Sequence, residues 1–314
     1  MNANPANGLT GIVIASNSGS IGTLNIGTLG GSDTAGTIVA PTIGFGLGTG
    51  TINFNQIDTA TLTSSISGFG TIQQLGSGTT ILTGSSTYSG LTLVQAGTLL
   101  ANNTAGSAVG TSTVLVTDAG TLGGNGSIGG ATTIESGGSL TPGANGVGSL
   151  TFTNSLTLLS GSTTTFQITS TNNFTSINVI GSTLTYGGSL VFNIASYTPA
   201  DGDAFTLFNM TGEAIETGDF SSVSAGSLQF TDDDAGTWSV TNDTYLYQFS
   251  ESTGQLTVSQ AVPEPSTYAL FGLGALTLIM GVLSKSRFID RLNAQPNHHR
   301  THQEKIPFQS VNSA

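Results

Sequence analysis

The side chains able to do chemistry are few, and they are sorted by position. Asp232-Asp233-Asp234 and the pair Asp201/Asp203 could supply oxygen ligands to calcium, which accepts flexible carboxylate geometry. Neither group has the spacing of an EF-hand loop, and Gly123-Gly124-Asn125-Gly126-Ser127 lacks the Asp of the calcium-binding nonapeptide repeat. Acids in solvated turns are the simpler reading, and no metal ligand is assigned. Paired carboxylates also hydrolyse glycosides. Here no pair is fixed by sequence, so no catalytic residue is assigned and no cofactor is expected. His298-His299-Arg300-Thr301-His302 could bind a transition metal, but this short basic stretch has no element around it to fix a geometry.

The 314 residues include five Lys and Arg, all between Lys285 and Lys305, and three His, all in the same tail. Residues 1–284 carry fifteen acids and no base, and the last 30 residues have a net charge of +3. A body without cations cannot neutralise phosphates, so nucleic acid is excluded as a partner. It also has no P-loop lysine, no arginine clamp, no Schiff-base lysine, no His-based triad and no His-ligated zinc. With no Cys, disulfides and thiolate chemistry are absent too.

The elements that must carry these residues are strands. A Gly followed by Thr or Ser and then Leu or Ile recurs from Gly22-Thr23-Leu24 through Gly27-Thr28-Leu29, Gly36-Thr37-Ile38, Gly70-Thr71-Ile72, Gly97-Thr98-Leu99, Gly120-Thr121-Leu122 and Gly138-Ser139-Leu140 to Gly226-Ser227-Leu228. Each reads as a strand start: Gly supplies a φ > 0 corner, Thr favours the pleat, and the apolar residue opens an inward row of period two. Leu91-Thr92-Leu93-Val94 and Leu150-Thr151-Phe152-Thr153 show that alternation. Many short strands between Gly and Asn turns fit a sandwich, a barrel or a solenoid. Spacing between the units is too irregular to decide. Scarce charge, Gly/Asn turns and stackable Thr, Ser and Asn favour the solenoid, because like charges would repel along the coil axis. The expected fold is all-β, a parallel β-helix. In residues 200–260, Phe205, Leu207, Phe208, Trp238, Tyr245, Tyr247 and Phe249 predict a β-rich C-terminal cap.

The stretch from Gly76 to Leu100 contains Leu82-Thr83-Gly84, Tyr88-Ser89-Gly90 and Ala96-Gly97-Thr98-Leu99, and it resembles the autotransporter-associated β-strand repeat. Gly120-Thr-Leu-Gly-Gly-Asn-Gly126 and Glu135-Ser-Gly-Gly-Ser-Leu-Thr-Pro-Gly143 are similar to the turns that follow it in such passengers. There they mark successive coils, and a turn tolerates the missing N–H of Pro142. The resemblance implies a secreted β-helical body and does not imply an enzyme.

Val262-Pro263-Glu264-Pro265-Ser266 precedes an apolar run from Tyr268 to Leu283, which Lys285, Arg287 and Arg291 close. This resembles a PEP-CTERM sorting signal, with its Pro-Glu-Pro box, one membrane span and a basic stop. The resemblance implies recognition of Pro263, Glu264 and Pro265 by an exosortase, a membrane-embedded processing enzyme. It also implies export in a Gram-negative cell, often into an exopolysaccharide matrix. Independently, the run would form a single C-terminal transmembrane helix of about 24 Å against a hydrocarbon core of about 30 Å. Insertion is worth roughly −2 to −5 kcal/mol before three glycines and Thr277 subtract from it. The positive-inside rule puts Lys285 and Arg287 in the cytoplasm.

Residues 1–75 therefore read as an irregular solenoid start and 76–260 as the autotransporter-type β-helix and cap. Residues 261–287 read as the sorting signal with its span, and 288–314 as a basic cytoplasmic tail. Met1–Asn7 has no basic n-region and Ile12–Ala15 is too short for an h-region, so a start site further upstream is expected. The expected function is that of a non-catalytic exported cell-surface or matrix protein, first anchored in the inner membrane. Its expected partners are an exosortase-type enzyme, the lipid bilayer and exopolysaccharide. A secreted β-helical polysaccharide-active enzyme is the alternative. An autonomous autotransporter would instead need a C-terminal barrel of many alternating strands.

Overall fold

The computed structural model describes residues 11–261 apart from residues 29, 31, 144, 145, 234 and 235. The chain divides after Ala261. The expected span over residues 268–283 lies outside the described residues. Among the described residues there is no helix, and so none long and apolar enough to cross a membrane.

Successive coils stack short strands on three faces. A nine-stranded sheet runs from Ile21–Ile26 and Thr49–Phe54 through Gly70–Gln74, Thr92–Val94, Val114–Val116, Thr132–Ile134, Leu156–Leu158 and Thr183–Tyr186 to Ile215–Gly218. A second series runs from Thr59–Leu62 through Thr79–Leu82, Thr98–Ala101, Thr121–Gly124, Ser139–Pro142 and Thr163–Ser170 to Ser189–Asn193 and Ser222–Ala225. The third face is built by Gly11–Ile14, Thr42–Phe45 and Ser65–Ser67 in the first coils, and by Ser127–Ile128, Gly148–Phe152, Asn173–Ile180 and Phe208–Thr211 in the later ones. The strands of neighbouring coils pair in parallel, for example Thr98↔Thr121 and Leu99↔Leu122, with isolated antiparallel bridges at Ser86↔Ser107 and Gly124↔Gly143. That pattern excludes the antiparallel sandwich and leaves the parallel β-helix. Coil length varies: side-chain hydrogen bonds between coils join residues from 20 to 33 positions apart. This variation is why no fixed period was visible in the sequence.

Parallel register stacks inward side chains into columns. Ile26, Phe54, Gln74, Val94, Val116, Ile134 and Leu158 are consecutive register partners, and all are buried. Each apolar member contributes about 1.5–3 kcal/mol relative to an exposed position. Gln74 is the polar member, and it is satisfied internally. Its Nε2 donates to Gly76 O at 2.9 Å, and Thr80 Oγ1 donates to its Oε1 at 2.6 Å.

Three sequence expectations need correction. Gly36-Thr37-Ile38 starts no strand, because residues 32–41 make an excursion outside the sheets; Leu29 of the Gly27-Thr28-Leu29 unit lies outside the described residues. This excursion is tied back by Ala35 N donating to Asp58 Oδ1 at 2.7 Å and Ile57 N donating to Asp33 O at 3.1 Å. The alternation at residues 91–94 runs in the opposite phase: Thr92 and Val94 are buried while Leu91 and Leu93 face outward. Thr92 is accepted inside because its hydroxyl pairs with the buried Tyr88 OH at 2.5 Å. The glycine before a strand is also not always a φ > 0 corner. Gly120 and Gly138 have ordinary φ, but a Cβ there would sit 2.2 Å from Val94 O and 2.6 Å from Val116 O, so close coil stacking excludes a side chain.

Phe205, Trp238, Tyr245, Tyr247 and Phe249 lie in a separate antiparallel sheet, ordered Ala204–Thr206, Gln255–Gln260, Tyr245–Ser250, Thr237–Thr241, Thr231–Asp232, while Phe208 lies in the last parallel strand of the third face. Phe249 from this sheet packs on Phe192 and Phe208 of the last coils, with ring centroids 5.7 and 6.3 Å apart. The sheet therefore closes the column end with aromatic rings, as a cap.

Candidate functional site

Two surfaces and one buried group carry what chemistry the described residues offer. The first surface is a column on the outer face of the second sheet. Thr59, Thr79, Thr98, Thr121, Ser139, Thr163, Ser189 and Ser222 are consecutive register partners. Leu99, Leu122, Leu140 and Leu190, which follow Thr98, Thr121, Ser139 and Ser189, are buried in the core. Parallel pairing therefore sets hydroxyls along one line at about 4.8 Å intervals. Each hydroxyl can donate and accept, and none brings charge. Shorter outer ladders flank other faces: Asn53 Nδ2 donates to Asn25 Oδ1 at 3.0 Å, Asn209 Nδ2 donates to Asn178 Oδ1 at 3.1 Å, and Ser149 and Ser176 pair at 2.6 Å. These are the stacked amide and hydroxyl contacts that a charge-poor solenoid permits.

The acids singled out from sequence are used as turn acceptors. Asp203 Oδ2 accepts the Tyr197 hydroxyl at 2.5 Å and Ala200 N–H at 2.9 Å; Asp201 Oδ1 accepts Gln260 N–H at 2.9 Å. Burial and the Asp203 carboxylate hold the Tyr197 phenol well above the ordinary tyrosine range. Asp233 Oδ1 accepts Thr237 N–H at 3.2 Å in the adjoining hairpin. Among the described residues no three His, Cys, Asp or Glu side chains gather around a common point. Asp234, His298, His299 and His302 lie outside those residues. An open groove of about 380 Å³ beside Thr37, Val39, Pro41, Thr61 and Thr63 has no titratable group in its wall.

The second surface is where the body ends. The last strand stops at Gln260, which is pinned by Asp201, and Ala261 N donates to Thr244 O at 2.8 Å. Pro263, Glu264 and Pro265 follow at once in sequence. They lie outside the described residues, as do Lys285 and Arg287.

Sequence reasoning missed Glu251, a buried carboxyl in the turn between the last two strands of the cap, 4% exposed. Its Oε1 accepts Phe220 N–H at 2.9 Å and Trp238 Nε1–H at 3.0 Å, and its carbonyl accepts the Tyr186 hydroxyl at 3.1 Å. Burial pushes this carboxyl above the ordinary glutamate range. The two N–H donors pull it down, and the nearby Asp219 pushes it up again. The signal for it was in the sequence, an acid within Tyr245–Glu251 in a body that has no cation to pair with it.

Comparison with known proteins places two short matches on this architecture. The Passenger-associated-transport-repeat matches residues 72–101, spanning the strands Thr79–Leu82, Thr92–Val94 and Thr98–Ala101. The PEP-CTERM protein-sorting motif matches residues 261–285. A relative described as an adhesin, BmaC autotransporter, from Brucella suis biovar 1 (strain 1330), is 44% identical over 91 residues. That stretch is 29% of this chain and 3% of the relative, so the chain spans only a small part of the protein it matches. The chain thus carries a passenger-type transport repeat inside its parallel solenoid and a PEP-CTERM sorting motif that begins where the last strand ends.

Proposed function

We propose that this protein is a non-catalytic, exported surface protein, a β-solenoid passed to an exosortase-type enzyme by its C-terminal signal. In this reading Pro263, Glu264 and Pro265 are the recognised box, residues 268–283 cross the inner membrane, and Lys285 and Arg287 hold the cytoplasmic end. The observation that carries it is adjacency: the sorting motif starts at residue 261, directly after the strand Gln255–Gln260. The box at Pro263-Glu264-Pro265 therefore follows the last described strand within a few residues. The adhesin name of the relative and the outer hydroxyl column support a contact role. A line of uncharged donors and acceptors exchanges hydrogen bonds with a hydrated polysaccharide without needing counterions. The excess of negative charge limits self-association.

The test is replacement of Pro263, Glu264 and Pro265 together by alanine in the native host. Surface-exposed protein is expected to fall severalfold while full-length chain accumulates in the inner-membrane fraction. Undiminished surface display of the triple variant would remove the sorting reading.

A further inference from the structure

The second series of strands begins one coil later than the nine-stranded sheet, and its first strand, Thr59–Leu62, has a strand partner on one side only among the described residues. Thr79 N donates to Asp58 O at 2.9 Å and Thr83 N to Leu62 O at 3.0 Å, so residues 58, 60 and 62 turn their backbone groups to the next coil. Residues 59, 61 and 63 turn theirs to the previous coil, where the excursion over residues 32–41 runs beside them. Ladder contacts close both ends of this stretch: Ile57 N donates to Asp33 O and Ser65 N to Pro41 O, each at 3.1 Å. Between these two pins, among the described residues, no backbone hydrogen bond joins residues 35–39 to residues 59–63.

The gap follows from a conflict of side-chain phase. Thr42 and Ile43 pair with Ser65 and Ile66. Carried back at the same register, Val39 would face inward beside Leu62, and Ala40 outward beside Thr63. The side chains stand the other way round: Leu62 is 2% and Ala40 6% exposed, while Val39 is 86% exposed. A one-residue mismatch turns every side chain of a strand to the opposite face, so zipping this ladder would bring the buried Ala40 out into water. The backbone groups of Thr61 and Thr63 therefore stay open to a groove of about 380 Å³, walled by these two residues with Thr37, Val39 and Pro41. Asp58, one of the two acids on this stretch, is already engaged by Ala35 N–H at 2.7 Å.

We propose that this groove binds one sugar unit of a neutral glycan, whose neighbouring units lie along the hydroxyl column that starts at Thr59. This ligand class rests on the polysaccharide contact proposed above and makes it specific. Sugar hydroxyls both donate and accept, so they match the open backbone N–H and C=O groups and the hydroxyls of Thr37, Thr61 and Thr63 alike. The C–H face of the ring lies against Val39 and Pro41. The groove is large enough for such a unit, since small-molecule sites run from about 300 to 1,000 Å³. An extended peptide is the other ligand that a free strand edge takes. Here the pins at Ile57 and Ser65 block it, because a strand added beside residues 59–63 would run on into them. Charge selects among glycans: the wall has no titratable group, and residues 1–284 hold no cation to meet a uronate or a phosphate.

The experiment uses the full-length protein in mild detergent, with cellohexaose, maltohexaose, an oligogalacturonate hexamer and the capped peptide acetyl-Thr-Val-Thr-amide as probes. Binding is read by calorimetry and by amide hydrogen exchange. At least one of the two neutral hexasaccharides is expected to bind and to slow exchange at Thr59, Thr61 and Thr63, while the oligogalacturonate and the peptide do neither. Thr61→Val combined with Thr63→Val, both at exposed positions, should weaken that binding about tenfold, the worth of two neutral hydrogen bonds, with strand content unchanged by circular dichroism. Thr121→Val combined with Ser139→Ala, in the middle of the hydroxyl column, separates the groove from the wider contact role. If this column variant loses binding while the groove variant keeps it, and residues 59–63 gain no protection, the groove assignment is wrong and the polysaccharide contact stands. If neither neutral hexasaccharide binds the wild type, both are wrong. Tighter binding of the peptide or the oligogalacturonate would also overturn the assignment. Should the groove variant fail to fold, exchange at residues 59–63 of the wild type decides alone.

Discussion

Phe208→Ala is expected to destabilise the body by about 3–5 kcal/mol, the range for emptying a fully buried aromatic site. Phe208 is 0% exposed and meets Phe166 edge-on at 5.0 Å, Tyr186 at 5.1 Å, Phe220 at 6.0 Å and Phe249 at 6.3 Å. It is the ring on which the last coils and the cap converge. Edge-to-face contacts add about 0.5–1.5 kcal/mol each beyond area burial, and four rings cannot collapse together into the space left. For a body of this size the melting temperature should fall by roughly 6–20 °C. Solenoids unfold by neighbouring units, so the loss should begin at the cap, with Trp238 emission changing before strand content does. A melting temperature within about 2 °C of wild type would contradict the packing described.

The second large effect is expected from Gly124→Val. Gly124 ends the strand Thr121–Gly124 with φ +113, a conformation that costs a side chain about 1–3 kcal/mol. A Cβ there would also lie 2.1 Å from Ala101 O, the oxygen that accepts Gly126 N–H at 2.7 Å. Overpacking of this kind adds about 1–3 kcal/mol more, and here the obstacle is backbone of the neighbouring coil, which cannot swing away. Gly36→Ala is the matched control, because Gly36 has no positive φ and a methyl group on its Cα would meet nothing within 4 Å. Denaturant unfolding should place Gly36→Ala within about 0.5 kcal/mol of wild type and Gly124→Val several kcal/mol below it. Equal stability of the two variants would refute the close-approach argument.

How much of this was legible beforehand depended on whether the determining contact was local. Strand starts at Thr98, Thr121, Ser139 and Ser189 follow their glycines as expected, because turn chemistry and a two-residue period are local properties. The inward phase of Thr92 was not legible. It depends on Tyr88 closing a hydrogen bond inside the coil, and a threonine carries no sign of which face its hydroxyl will find satisfied. The excursion over residues 32–41 repeats the strand-start pattern at Gly36-Thr37-Ile38 yet stays out of the sheets, held by Asp58 from the next coil. The aromatic cluster of residues 200–260 announced a cap by composition. Its antiparallel order and its dependence on Glu251 did not appear, because the partners Phe220, Trp238 and Tyr186 come from three separate strands or their flanks. The acids most conspicuous in sequence, Asp201 and Asp203, turned out to be loop fasteners.

The body and its address can be tested together by determining the exact mass of the protein recovered from the cell surface of its host. The account predicts a chain that includes the folded solenoid and cap through Ala261 and ends close to the Pro263-Glu264-Pro265 box, with residues 268–314 removed. Recovery of the intact chain to Ala314 from the cytosol, with no shortened form outside the cell, would contradict it.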